Sequence, residues 1–229
     1  MRRLVLFAKL PRLGQVKTRL AVALGEDGAL ALYRAFLADQ LALLRSLSLE
    51  YQVEACLDGR WRPDPELDRF VDRLRLTRQG PGDLGTRLLR CFERSWGEGA
   101  RSTLVLGADA PTLPAARVRE AFRALDGPAV AAVLVPAADG GYVALGLVRP
   151  LAELLRDIPW GGPQVSAVTV ERARAARIEL QVLEPWFDVD DGAGLARLRS
   201  ELGRPGGAGR APATAAALAR LDSLYGPVV

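Results

Sequence analysis

Histidine is absent from this chain of 229 residues, and lysine occurs only at Lys9 and Lys17 among 31 basic residues. The missing imidazole excludes Ser-His-Asp triads, His-ligated zinc and histidine acid–base chemistry, so any reaction rests on carboxylates, lysine, hydroxyls or a metal. Cysteine is scarce too: Cys56 and Cys91 lack CxxC spacing and lie in apolar stretches, which suits a structural role and a reducing cytoplasm. No apolar run approaches the roughly 18 residues of a membrane span. The opening run, Leu4 to Ala8, also falls short of a secretory h-region of about 7–15 residues. A soluble, cytoplasmic protein is expected. No extended basic tract accompanies the net charge of +4, since 31 basic and 27 acidic residues are interspersed; this composition does not call for nucleic acid but is compatible with anionic small molecules.

The length allows one sizeable core without disulfides. We expect a domain over residues 1–203, followed by a linker-like run, RPGGAGRAP, and an alanine-rich helix from Ala213 to Leu224 within an appended 204–229 segment. That segment offers a packing surface or a homodimer contact.

The most informative stretch is RRLVLFAKLPRLGQVKTRL, Arg2 to Leu20. Leu4 to Ala8 reads as a buried strand, Pro11 and Gly14 break it into a loop, and a helix is expected to start near Val16. A helix beginning there points unpaired N–H groups at the strand's end, and Lys9, Arg12, Lys17 and Arg19 add four cations. The combination suits a diphosphate. A Walker loop is excluded because Lys17-Thr18 lacks glycines at the required spacing.

Gly25 can end a short helix, and Leu30, Tyr33, Leu37, Leu41 and Leu44 recur at helical spacing after Asp27. Strands are expected over Tyr51 to Leu57 and Phe70 to Arg78. Asp58 follows the first of these and reads equally as a turn residue or a nucleotide contact. QGPGD follows the second, and Asp83 is placed to cap a helix through Trp96. The apolar stretch Ser102 to Gly107 reads as a central parallel strand that delivers Asp109 at its carboxyl end, as a loop cap or as a Mg²⁺ or Mn²⁺ ligand. Strands at Ala129 to Val135 and Tyr142 to Leu147 are joined by PAADGG, either a plain hairpin or a substrate-facing turn. A helical pattern from Pro150 breaks at Pro159-Trp160-Gly161-Gly162-Pro163 and resumes to Ala176, before a strand from Ile178 to Leu183. Asp188, Asp190 and Asp191 come next; Asp188 with help from Asp190 can ligate a metal, while Asp191 caps the following helix.

Alternating strands and helices imply a three-layer α/β/α fold with a mostly parallel mixed sheet, in which the Lys17 loop, Asp58, Gly82, Asp109 and Asp188 share the carboxyl-end edge.

FAKLPRLGQVKTRL, QGPGDLGTRL, LGADAPTLP, PAADGGYVALGL and, more loosely, WFDVDDGAGLARL resemble, in the same order, segments of a DUF2064-like family of bacterial proteins. These are nucleotide-diphospho-sugar transferases or glycosyltransferases of GT-A-like fold, distantly similar to small nucleotidyltransferases. The resemblance implies nucleotide contacts from Lys9, Gly14, Lys17, Arg19, Asp58, Gly82, Asp83 and Arg87. It places Asp139, Gly140, Gly141 and Tyr142 against the substrate, with Asp139 contacting the acceptor or serving as base. Lys17, Asp109 and Asp139 become the catalytic candidates, and Asp109 with Asp188 would hold Mg²⁺ or Mn²⁺. Glycosyltransferase cousins commonly carry two aspartates one residue apart where this chain has Asp109-Ala110-Pro111, so a second ligand must come from elsewhere. Gly161-Gly162 replaces a usual serine or threonine pair. The expected activity is metal-dependent transfer from a nucleotide-diphospho-sugar to a small-molecule acceptor. The alternatives are nucleotidyl transfer with pyrophosphate release, and nucleotide binding without catalysis.

Overall fold

A computed structural model of the chain describes residues 1–72 and 74–226. In order the elements are β1 (Arg2–Ala8), α1 (Thr18–Ser46), β2 (Gln52–Leu57), α2 (Asp68–Val71), β3 (Arg75–Arg78), α3 (Leu84–Gly97), β4 (Ser102–Gly107), α4 (Ala115–Leu125), β5 (Ala132–Pro136), β6 (Tyr142–Leu147), α5 (Val165–Ala175), β7 (Leu180–Val182), α6 (Gly192–Gly203), α7 (Gly207–Arg210) and α8 (Pro212–Tyr225). The strands form one sheet in the order β3-β2-β1-β4-β6-β5-β7. Every neighbour pair is parallel except the two made by β6, so the sheet is mixed but mostly parallel.

Alternation along the strands divides the core into two layers. Leu4, Leu6 and Ala8 of β1 pack with Leu104 and Leu106 of β4 beneath α1, α4, α6 and α8. Val5, Phe7 and Val105 face the opposite way, onto Leu88, Cys91 and Phe92 of α3 and onto the turn at Leu151 to Leu155. The three-layer α/β/α architecture expected from the sequence is therefore present.

Several boundaries differ from expectation. Of the expected strand Phe70 to Arg78, Arg73 lies outside the described residues, Phe70 and Val71 belong to α2, and only Arg75–Arg78 is strand. The helical turn forms because Asp64, held by Arg34, takes the N–H groups of Glu66 and Leu67 on its carboxylate, and its carbonyl takes that of Asp68. α1 begins at Thr18 rather than Val16, since Lys17 adopts a left-handed conformation (φ 50°). Helix after Pro150 is reduced to a 3₁₀ turn, Ala152–Leu154. The run read as a linker is folded: α7 packs so tightly on Glu201 that a Cβ at Gly207 would fall 2.0 Å from the Glu201 carbonyl. Pro227 to Val229 of the expected tail lie outside the described residues.

α8 packs on α1 through a buried cap. No residue of its own caps α8; instead the buried Asp39 of α1 accepts from the backbone N–H groups of Ala213 (3.0 Å) and Thr214 (2.8 Å) and from the Thr214 hydroxyl (2.6 Å). Asp39→Ala removes the cap and leaves those donors buried, which we expect to cost about 2–3 kcal/mol of unfolding free energy. Asp39→Asn keeps an accepting oxygen and should cost less. Urea titration of both variants checks this, and a loss below about 0.5 kcal/mol for the alanine would refute the cap's role.

Candidate functional site

A cleft of about 660 Å³ opens at the edge where β1, β3 and β4 end and the antiparallel β6 begins. Of the residues expected at the site, Lys9, Lys17, Arg19, Gly82, Asp83, Arg87, Asp109 and Tyr142 line it. Gly14, Asp58, Asp139, Gly140, Gly141 and Asp188 are not among its lining residues. Asp58 instead secures the first loop, accepting the Leu10 N–H at 2.7 Å, with Arg12 at 3.9 Å.

The β1–α1 loop enters the cleft as a set of cations and amides. Lys17 occupies the N-cap position, no side chain caps α1, and Thr18 and Arg19 of its first turn line the cleft. Unpaired N–H groups of a helix start and its positive dipole end favour an anion there. Lys9 and Arg19 are exposed and have no acidic partner among the described residues.

Lys17 is placed differently from its neighbours. Its side chain is only 4% exposed, and Nζ lies 2.5 Å from Oδ1 of both Asp109 and Asp190, with the Phe36 ring 5.7 Å away. Burial acts to discharge the ammonium, but the two carboxylates outweigh it and raise its pKa, so it stays charged. A backbone bond from the Val189 N–H to the Asp109 carbonyl (2.9 Å) brings the two acidic segments side by side. Because Val189 points inward and is fully buried, Asp188 and Asp190 flank it on the opposite face.

Asp188 lies beside Asp190, as expected, and also beside Asp139. Carboxylate oxygens of Asp139, Asp188 and Asp190 lie within 4.8 Å of one another, and Lys17 joins Asp190 of this cluster to Asp109. Three hard oxygen donors suit Mg²⁺ or Mn²⁺. Asp191 caps α6, accepting the Gly194 N–H at 2.9 Å.

The PAADGG turn joins the adjacent antiparallel strands β5 and β6, so it is a hairpin connection, and it is tied to α5. Ser166 donates its backbone N–H to the Gly140 carbonyl (2.9 Å) and its hydroxyl to that of Gly141. Gly140 has φ +90°, and a Cβ there would meet the Pro163 carbonyl at 1.9 Å, so both conformation and space demand glycine. Asp139 accepts the Gly141 N–H on Oδ1 at 2.7 Å. The Tyr142 ring meets Trp160 edge-on (6.1 Å, 80°), and its hydroxyl is buried with no partner among the described residues. Burial pushes that hydroxyl's pKa up.

Sequence reasoning missed three supports. Tyr33 reads as one more apolar-face residue of α1, yet its hydroxyl accepts the Lys9 N–H (3.1 Å) and donates to the Lys9 carbonyl (3.0 Å). Gln79, buried after β3, donates to the carbonyls of Ala8 and Cys56, and Arg87 bonds the Gly82 carbonyl at 2.7 Å. A polar residue between a strand and a glycine run was the available signal for Gln79. Trp160 packs over α3, where a Cβ on Gly85 would fall 2.8 Å from Nε1.

Within the carboxylate cluster, Asp190 alone meets a cation among the described residues, Lys17. Burial first, then Asp139 and Asp190, push the Asp188 carboxyl up to about 6 from an ordinary 3.8. The folded chain therefore holds this proton more tightly than the unfolded one, so ionising Asp188 opposes folding; the cost is absent below about pH 4 and complete above about pH 6. Asp188→Asn should raise unfolding free energy by about 1–2 kcal/mol at pH 7.5, a figure reduced for the group's partial exposure, and give no gain at pH 4. Denaturant titrations at both pH values, without divalent cations, measure it; equal effects at the two would disprove the repulsion.

Comparison with known proteins bears out the fold. The crystal structure of a candidate nucleotide-diphospho-sugar transferase from Desulfovibrio desulfuricans G20 superposes with a TM-score of 0.84 at 30% identity, covering 97% of this chain and 96% of that one. A cytidylyltransferase from Leptospira borgpetersenii (TM-score 0.56, 10% identity, 99% and 96% covered) shares the fold. So does the 4-diphosphocytidyl-2C-methyl-D-erythritol synthase of Anaerococcus prevotii (0.55, 10%, 89% and 99%). No curated protein matches the sequence. The model of an uncharacterized protein family conserved in bacteria, DUF2064, matches residues 37–162, more than half of the chain, and to that family this protein belongs.

Proposed function

We propose that the protein is a metal-dependent glycosyltransferase that takes a nucleotide-diphospho-sugar donor and a small-molecule acceptor. The observation that carries this reading is one sheet edge bearing both an uncapped helix start with Lys9 and Arg19 and, beside it, the Asp139–Asp188–Asp190 cluster. The α1 N–H groups, Lys9 and Arg19 bind the diphosphate. Gly82, Asp83 and Arg87 face the base or ribose. Buried Lys17 bridges Asp109 and Asp190 at the back of the cleft and offsets their mutual repulsion.

Asp188 and Asp190, with Asp109, would hold Mg²⁺ or Mn²⁺, which would supply charge neutralisation for the departing diphosphate, and Asp139 beside them is left free to act as base. In the transfer, an acceptor hydroxyl oxygen forms a bond to the anomeric carbon as the bond from that carbon to the diphosphate breaks. The nucleoside diphosphate leaves, and Asp139 takes the hydroxyl proton on Oδ2, since Oδ1 already accepts from Gly141. Tyr142 forms the acceptor's wall. The free, buried Cys56 and Cys91 agree with a cytoplasmic setting. No helix among the described residues is long and apolar enough to cross a membrane.

A second reading uses the same groups: the cation-lined helix start holds the β- and γ-phosphates of a nucleoside triphosphate, and pyrophosphate leaves. The shared fold of cytidylyltransferases is what favours it. Incubation with nucleotide-sugars or nucleoside triphosphates, with Mg²⁺, Mn²⁺ or chelator, separates the readings by what is released. Nucleoside diphosphate released only with metal is the expected result; pyrophosphate selects the second reading, and tight nucleotide binding with no product leaves a binding protein. Asp139→Asn should slow transfer by about 10²-fold or more while changing donor affinity only a few-fold. Loss of donor affinity in calorimetry would instead place Asp139 at the nucleotide or metal.

A further inference from the structure

Gln40 on α1 is fully buried, yet only half of its amide is engaged. Nε2 donates to the Ala110 carbonyl at 2.5 Å, and Oε1 has no partner among the described residues. An orphaned carbonyl oxygen in a core lowers stability. Nor does Ala110 require the amide, because its carbonyl also accepts the Leu113 N–H at 3.1 Å. Packing and hydrogen-bond satisfaction alone would favour methionine or leucine at this position.

What the amide reaches explains its presence. Ala110 follows Asp109, whose carbonyl accepts the Val189 N–H between Asp188 and Asp190. The same face of α1, one and two turns earlier, presents Phe36 beneath the Lys17 ammonium and Tyr33 clamping the Lys9 backbone. Residues 33, 36 and 40 therefore touch the first loop, the buried lysine and the Asp109 loop from one rigid element.

We propose that Gln40 is a positioning residue: through the Ala110 carbonyl it sets the backbone at Asp109 against the Asp188–Asp190 segment, and so fixes the spacing of the carboxylates that receive a divalent cation. Only the last step rests on the metal reading above. The backbone coupling stands independently of it.

The test uses Gln40→Met, with Gln40→Leu as a second apolar replacement. Thr112→Val serves as the control, since the Thr112 hydroxyl is also buried and unpartnered in the same loop. Three quantities are measured on the full chain: the thermal midpoint, the exchange rate of the Val189 amide, and Mn²⁺ affinity by electron paramagnetic resonance. Both Gln40 variants should keep or raise the midpoint, speed Val189 exchange about tenfold and weaken Mn²⁺ binding about tenfold or more. Thr112→Val should leave exchange and Mn²⁺ affinity unchanged. Unchanged Val189 exchange in both Gln40 variants overturns the proposal, as does a midpoint loss that shows the amide to be structural, or the same changes in Thr112→Val. If the wild type binds no Mn²⁺, the metal reading fails, and Val189 exchange alone decides the role of Gln40.

Discussion

A buried ammonium must be neutralised where it stands, and Lys17 is neutralised by two carboxylates that belong to different parts of the chain. Removing one partner of a buried pair commonly costs about 3–5 kcal/mol, although here the carboxylates are about 40% exposed and water moderates the figure. The consequence is topological as much as energetic. One side chain at the start of α1 fastens the β1 loop to the β4 loop and to the segment after β7, so three strand ends are held at one charge. The left-handed φ of Lys17 fits the same role, since a strained non-glycine conformation persists only where its surroundings fix it.

The sheet makes that convergence possible. With β1, β2, β3, β4, β5 and β7 all parallel, each carboxyl end lies on one edge. The antiparallel β6 contributes its beginning to that same edge, which is why the Asp139 turn and Tyr142 arrive beside loops that follow strands. An all-parallel insertion there would have sent that turn to the opposite edge. Gly140 and Ser166 then hold the hairpin down on the start of α5.

Much of this was legible in the residues themselves. A buried strand that delivers Asp109, a helix following the first loop, and Asp83 and Asp191 at cap positions are local patterns, and local hydrogen bonding fixes the two caps. Less legible were the boundaries set by distant partners: Phe70 and Val71 follow Asp64, itself held by Arg34, and no strand pattern reveals that. The division of labour among aspartates was hidden for a similar reason. Asp109 and Asp188 both follow strands, but the Val189 to Asp109 bond, a contact across the sheet edge, decides that Asp190 shares the lysine. Tyr33 and Gln40 were invisible as site supports because helical spacing identifies a buried face without saying what that face touches.

The contrast between two charged clusters supports the proposed site more firmly than either cluster alone. At the opposite ends of β1 and β2, Glu54 is buried and met by Arg94, Arg75 and Arg3, while Glu98 is held down at about 2 by hydrogen bonds from Arg75 and then Arg3. Each of those carboxylates has arginines beside it. At the cleft the sign is reversed: Asp188 is driven toward its protonated form by burial and by neighbouring carboxylates. A fold that meets the buried Glu54 with three arginines at one edge leaves Asp139 and Asp188 without a cation among the described residues at the other, beside a cation-lined cleft. Stability does not account for that arrangement, and this is what supports the proposal of a positively charged ligand bound together with an anion on the α1 start.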